Sequence, residues 1–175
     1  MKIKLGNLDH NAVKTLLLTH HQDMLKHSPL ESVHALDLTS LKADNITFYT
    51  AWIDEQLAGC GALKKLNNHH AEIKSMRTSQ QFLRKGIAAK LLTHLLTEAE
   101  KRHYSKVSLE TGTKEAFLPA QKLYENFGFN VCPPFANYKE DPYSMFMTKS
   151  LSSNNKPLTK NKIIEKPFNN FCGNV

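Results

Sequence analysis

Arg84-Lys85-Gly86-Ile87-Ala88, continued by Leu91, Leu92, Leu95, Leu96 and Ala99, is the stretch on which the fold of this chain turns. From Ile87 onward the apolar residues recur at the i, i+3, i+4 spacing of one helix face. Lys90, Thr93, His94, Thr97, Glu98, Lys101 and Arg102 are left for solvent, and the pattern predicts a helix over 85–102. Before it, Ala71 to Thr78 alternates as a strand does. A strand, a basic glycine loop and a helix turn free backbone N–H groups and the positive end of a helix dipole toward an anion. Gly86 lets the backbone approach a phosphate, and Arg84 and Lys85 add charge. The stretch reads as a pyrophosphate cradle.

The dinucleotide fingerprint needs three glycines and the Walker loop needs G-x-x-x-x-G-K-[ST]; the stretch meets neither. It resembles motif A of the GNAT N-acetyltransferases, [QR]-x-x-G-x-[GA], which binds the pyrophosphate of acetyl-coenzyme A. Gly86 and Ala88 fill the two small-residue slots. Leu83 stands where that family usually has Gln or Arg, with Arg84 beside it as a replacement charge. Downstream, Val107-Ser108-Leu109-Glu110-Thr111 reads as a short strand. Leu123-Tyr124-Glu125-Asn126-Phe127-Gly128-Phe129 then resembles motif B, a helix capped by a glycine before a strand. The E-I-K-x-M-R strand (Glu72–Arg77) and the L-E-T-G turn (Leu109–Gly112) are similar to those of small bacterial acetyltransferases. The order of elements from Ile3 to Leu151 matches throughout. The resemblance implies an α/β (α+β) GNAT fold over residues 1–151, with a mixed, mostly antiparallel sheet flanked by helices.

It also implies a chemistry. Acyl transfer to an amine needs a neutral amine, a held oxyanion and a protonated leaving thiolate; a lysine-like amine with a reference pKa of ~10.4 is mostly ammonium at neutral pH. Glu72, fourteen positions before Gly86, is the candidate base by that resemblance. The alternative is that Glu72 and Lys74, two apart on one strand face, form an ion pair at a solvated surface. Tyr124 is the candidate acid for the coenzyme A thiolate, against an ordinary core tyrosine with its hydroxyl outside. The resemblance puts the oxyanion on backbone N–H near Met76, at a strand bulge, and pairs the backbone of Met76, Arg77 and Thr78 with the pantetheine arm. Arg77 is a phosphate contact, an acceptor contact or a surface arginine. Thr111 or Thr113 stands in for the Asn that many relatives place before the motif-B helix. The acceptor site is expected from Ser32, His34 and Asp37 and from Phe135, Asn137, Tyr138, Glu140, Asp141 and Tyr143.

Charge and composition narrow the classes. The net charge is +7, of which residues 152–175 carry +3 through Lys156, Lys160, Lys162 and Lys166 against Glu165; +4 stays with the rest. That balance suits a polyanionic ligand. No stacking-aromatic platform or helix-turn-helix pattern supports nucleic acid. The basic, Asn-rich tail 152–175 reads as an extension without a core of its own, although Phe168 and Phe171 could pack on the body or on a second copy in a homodimer. No apolar run approaches the ~18 residues of a membrane span. Met1–Leu5 leads into a strand, not a signal sequence, so a cytoplasmic home is expected. Cys60, Cys132 and Cys172 suggest neither a disulfide framework nor a metal site, and Cys60, between two glycines, reads as an inert buried thiol. His20-His21 and His69-His70 lack a third ligand at useful spacing and read as surface or turn residues.

The remaining elements are a first strand at 2–6, a helix at 8–27 capped by Asp9 or Asn7, and a short helix near 38–42. A hairpin of 47–54 and 56–66 turns at Asp54-Glu55. Beyond the motif-A helix come a strand at 106–111, a helix at 117–127, and strands near 129–132 and 143–150. With these elements in place, the resemblance implies an acetyl-coenzyme A-dependent N-acetyltransferase acting on a primary amine in a ternary complex, with no metal. The alternative is a catalytically silent coenzyme A-binding sensor.

Overall fold

Asp54 and Glu55 take positive φ angles of 45° and 61°, the twist a two-residue hairpin loop requires. They join β2 (Ile46–Ile53) to β3 (Gln56–Lys65) as an antiparallel pair. The computed structural model describes residues 1–34 and 37–151. The tail 152–175, with Phe168, Phe171 and Cys172, lies outside the described residues. Onto the hairpin β1 (Lys2–Leu5) adds along β2, and β4 (His70–Thr78) along β3, both antiparallel. The chain then crosses over through α2 (Ile87–Lys101) and returns as β5 (Lys106–Gly112), parallel to β4. After α3 (Leu118–Asn126), the two-residue β6 (Asn130–Val131) and β7 (Ser144–Ser150) complete a sheet of order β1-β2-β3-β4-β5-β7-β6. Among the described residues β4–β5 is the one parallel pair, so the sheet is mixed and mostly antiparallel, as expected.

Strand alternation divides the interior in two. Tyr49, Leu63, Ala71, Ile73, Val107, Leu109 and Met147 pack under α2 and α3, against Leu92, Leu95, Leu96, Ala99 and Tyr124. Each buried leucine of α2 contributes about 1.5–3 kcal/mol relative to exposure. Phe48, Cys60 and Ala62 meet Val13, Leu16 and Leu17 of α1 (Asn11–Leu25). Along β4, β5 and β7 the same alternation sets His70, Glu72, Lys74, Ser108, Glu110, Ser144 and Thr148 in a polar row. This row is where the chemistry gathers.

Several boundaries differ from expectation for local reasons. The α2 helix begins at Ile87, not 85, because Arg84 and Gly86 hold φ angles of 58° and 76°. The α1 helix is shorter at both ends and is capped by His10, whose Nδ1 accepts from Ala12 N at 3.2 Å. The helix near 38–42 is a single 3₁₀ turn, Ser40–Lys42. His70 is not a surface residue: it opens β4, is 8% exposed, and shares a 2.8 Å hydrogen bond with Ser108 Oγ. No helix among the described residues is long and apolar enough to cross a membrane.

Candidate active site

Parallel pairing of β4 and β5 runs from His70↔Lys106 to Ile73↔Leu109 and stops there. Beyond that point β4 bulges. Cys60 pairs with Arg77 and Ala62 with Lys74, so three steps on β4 answer two on β3, and Ser75 takes φ 51°. Gly59 and Gly61 make room for this: a Cβ at Gly59 would sit 2.7 Å from Arg77 O, and one at Gly61 3.0 Å from Met76 Cγ. Between them Cys60 donates from Sγ to Ser75 O at 3.4 Å. Burial pushes its thiol up to about 12, so it is a weak nucleophile at neutral pH.

The divergence opens a groove of about 810 Å³. Lys74, Ser75, Met76, Arg77 and Thr78 line one side of it, and Glu110, Thr111 and Gly112 the other. Leu83, Arg84, Gly86, Ile87 and Ala88 line it at the start of α2, Tyr124 lines it from α3, and His20 and Asp23 line it from α1. Ala88 belongs to the apolar pattern of α2 yet is only half-buried, because it faces this groove. Lys85 stands outside the lining, exposed, with Nζ 5.4 Å from the Phe82 ring.

Two unpaired sets of backbone donors border the groove. Gly86 is the N-cap of α2 in a left-handed conformation that brings no side-chain cap, so the first-turn N–H groups point outward unpartnered. A Cβ added to Gly86 would meet no atom within 4 Å, but its φ of 76° strains any other residue. Along β4, the edge of residues 74–78 that faces β5 has no strand partner among the described residues.

Glu72 is 1% exposed and lies behind the groove lining. The Tyr138 hydroxyl donates to its Oε1 at 2.7 Å, and Lys74 Nζ lies 3.4 Å from the same oxygen. The Glu72–Lys74 pair thus exists, but it is buried, with Lys74 6% exposed, and not solvated as the surface alternative had it. Lys74 also donates to the Tyr138 hydroxyl at 2.6 Å. His34 and Phe146 pack their rings on Tyr138, at centroid distances of 5.0 and 5.2 Å.

Glu110 lines the groove itself, as Asp23 of α1 also does. Ser144 Oγ donates to its Oε1 at 2.9 Å. Burial holds its carboxyl above the usual range, with the Glu72 charge adding to the shift. Tyr124 is 7% exposed and packs edge-on against Phe129. Burial, then the Glu110 charge, pushes its phenol up, so it keeps its proton at neutral pH. Its hydroxyl makes no hydrogen bond among the described residues.

Residues 12–129 match the Acetyltransferase (GNAT) family. The chain belongs to this family. It is 54% identical over 151 residues to YsnE of Bacillus subtilis (strain 168), an uncharacterized N-acetyltransferase, covering 86% of this chain and 100% of that one. It is 46% identical over 154 residues to YedL of Escherichia coli (strain K12), likewise an uncharacterized N-acetyltransferase, covering 88% and 97%. In fold it is similar to a GNAT family acetyltransferase from Elizabethkingia anophelis with acetyl-CoA bound, with a TM-score of 0.62 and 20% identity over 86% of this chain and 97% of that one. This GNAT chain is an acetyl-CoA-dependent acetyltransferase.

The groove fits that cosubstrate. Uncapped N–H groups and Arg84 suit phosphates, and the free edge of β4 suits the amides of a pantetheine arm. Two residues here escaped the sequence reading. Glu110 was visible only as part of the L-E-T-G turn. Ser75, whose buried Oγ has no partner among the described residues, was not singled out, although the resemblance placed a bulge beside it near Met76.

Proposed function

We propose that this GNAT enzyme acetylates a primary amine by direct attack in a ternary complex. The observation that carries the reading is the convergence of Glu110, Tyr124 and the β4 bulge on one groove. The thioester carbonyl lies at the bulge, its oxygen facing backbone N–H near Met76. Arg77 and Thr78 extend the pairing along the pantetheine, Thr111 closes it from β5, and Arg84, Gly86, Ile87 and Ala88 hold the pyrophosphate, with Lys85 outside the lining adding charge beside them.

Glu110 accepts the ammonium proton. Its raised pKa brings it toward neutral pH, where a base is most effective. The amine nitrogen attacks the carbonyl carbon, the amide bond forms and the carbon–sulfur bond breaks. Tyr124 gives its proton to the departing thiolate and regains one from the second N–H proton that the attacking nitrogen loses as the amide forms. Glu72 holds Lys74 and Tyr138 in place beside Glu110. If Glu72 is instead the base, Glu72→Gln will be more damaging to turnover than Glu110→Gln. Cys60, with its raised pKa, gives no support to a covalent acetyl-enzyme.

The test is initial velocity of coenzyme A release against both substrates, with an amine panel as acceptor. Intersecting lines, and no acetylated protein by acid-quenched mass spectrometry, are expected. Parallel lines would sink the direct-attack mechanism. Acetyl-CoA binding with no release for any amine would favour the silent sensor.

A further inference from the structure

The groove has two oppositely charged poles. At one pole the Glu110 carboxylate lines the groove, while Lys74 is answered by the buried Glu72 behind the lining. At the other, Asp23 answers two cations: its Oδ1 accepts from Lys26 at 2.8 Å and its Oδ2 pairs with Arg77. The first pole is left one negative charge in excess and the second one positive. Asp23, Lys26, Lys74, Arg77 and Glu110 all line the same groove.

Two polar atoms in that lining are buried without partners among the described residues. Ser75 is 8% exposed and its Oγ is unbonded; His20 Nδ1 is likewise unbonded. An unpaired buried polar atom costs about 1–3 kcal/mol, a cost a ligand can relieve. His20 is held neutral by burial, its pKa brought down to about 4, with the Arg77 charge contributing. It therefore adds no charge to the positive pole and leaves Arg77 and Lys26 to set it.

We propose that the acceptor is a small zwitterion of the amino-acid class, its amine on Glu110 and its carboxylate on Arg77 and Lys26, with Ser75 and His20 completing the hydrogen bonding. This rests on the acetyltransferase reading above and narrows its amine. A protein or peptide amine has an amide where an amino acid has a carboxylate, and would leave the positive pole unanswered.

The experiment uses the full chain with acetyl-CoA and several side chains, among them leucine, phenylalanine and lysine. Each is supplied as the free amino acid, its carboxamide and its decarboxylated amine. The expected result is a kcat/KM for the free acid about tenfold or more above both other forms, for at least one side chain. The carboxamide has the least basic amine of the three, so its larger free-amine fraction works against this outcome. Arg77→Met and Lys26→Met should each move the acid-to-amine ratio toward one. If Arg77→Met fails to fold, the wild-type ratios and Lys26→Met decide. Equal or faster turnover of the carboxamide or the amine overturns the proposal. So does a panel silent in all three forms while calorimetry shows acetyl-CoA bound. Failure to bind acetyl-CoA at all would instead bring down the underlying reading of the groove.

Discussion

The Tyr138 hydroxyl donates to Glu72 Oε1 across 2.7 Å from 66 positions away in the chain, and accepts from Lys74 Nζ at 2.6 Å. One phenol thereby serves both members of a buried ion pair. A carboxylate 1% exposed and an ammonium 6% exposed lose most of their hydration, and their attraction offsets that loss only when their other hydrogen-bonding positions are also filled. Tyr138 fills them and, in doing so, ties the 132–143 segment to β4 at the edge of the groove.

Tyr138→Phe should therefore destabilise the protein by about 1–3 kcal/mol, since it leaves charged groups short of a partner. For a chain of this size that is a Tm lower by roughly 3–10 °C. Thermal unfolding followed by circular dichroism checks it. A Tm within a degree of wild type would mean the pair stands without Tyr138.

Glu110→Gln should lower turnover and raise stability together. Burial holds the Glu110 carboxyl above its ordinary 4.5. Between that value and the raised one the folded protein binds more protons than the unfolded chain, so stability falls as pH rises through the window. Glutamine removes the cost. The Tm advantage of the variant should be absent near pH 4 and present at pH 7.5. In wild type, kcat/KM should drop as falling pH protonates Glu110, and that acid limb should vanish in the variant. A Tm advantage that does not grow with pH would contradict the buried, raised carboxyl.

Tyr124→Phe should reduce kcat by about 10²-fold, the low end of general acid catalysis. Acetyl-CoA affinity should change little, because the ring and its contact with Phe129 are retained. Steady-state kinetics paired with calorimetry separates the two. A loss of affinity with kcat preserved would remove Tyr124 from proton transfer.

Acid should weaken the fold between pH 6.5 and about 4. Burial lowers both His20 and His70 from 6.5 to about 4. In that window the unfolded chain binds more protons than the folded one, so stability rises with pH and is lost as pH falls. His70→Gln should flatten the slope in denaturant titrations across the window. An unchanged slope would assign the acid sensitivity elsewhere.

How far each element could be read in advance follows from the range of the interactions behind it. The apolar face of α2 was legible because helix periodicity is local: Ile87, Leu91, Leu92, Leu95, Leu96 and Ala99 are all buried. The Asp54-Glu55 turn was legible for the same reason. The start of α2 was misplaced by two residues, since the positive φ of Arg84 has no sequence signature while that of Gly86 does.

Glu72 shows the other limit. Its spacing to Lys74 foretold the ion pair, but the pair is buried because Tyr138 closes over it, and no local pattern links those positions.

By itself the sequence determined the family, the order of elements and the anion-binding loop, because each rests on neighbours within a few residues or on one short motif. Only the tertiary structure decided that Glu110 and not Glu72 faces the groove, which ion pairs are dry, and where two cations share one Asp23. Those depend on strands that diverge after Ile73 and Leu109. A divergence of two strands is a property of the sheet, and no single segment encodes it.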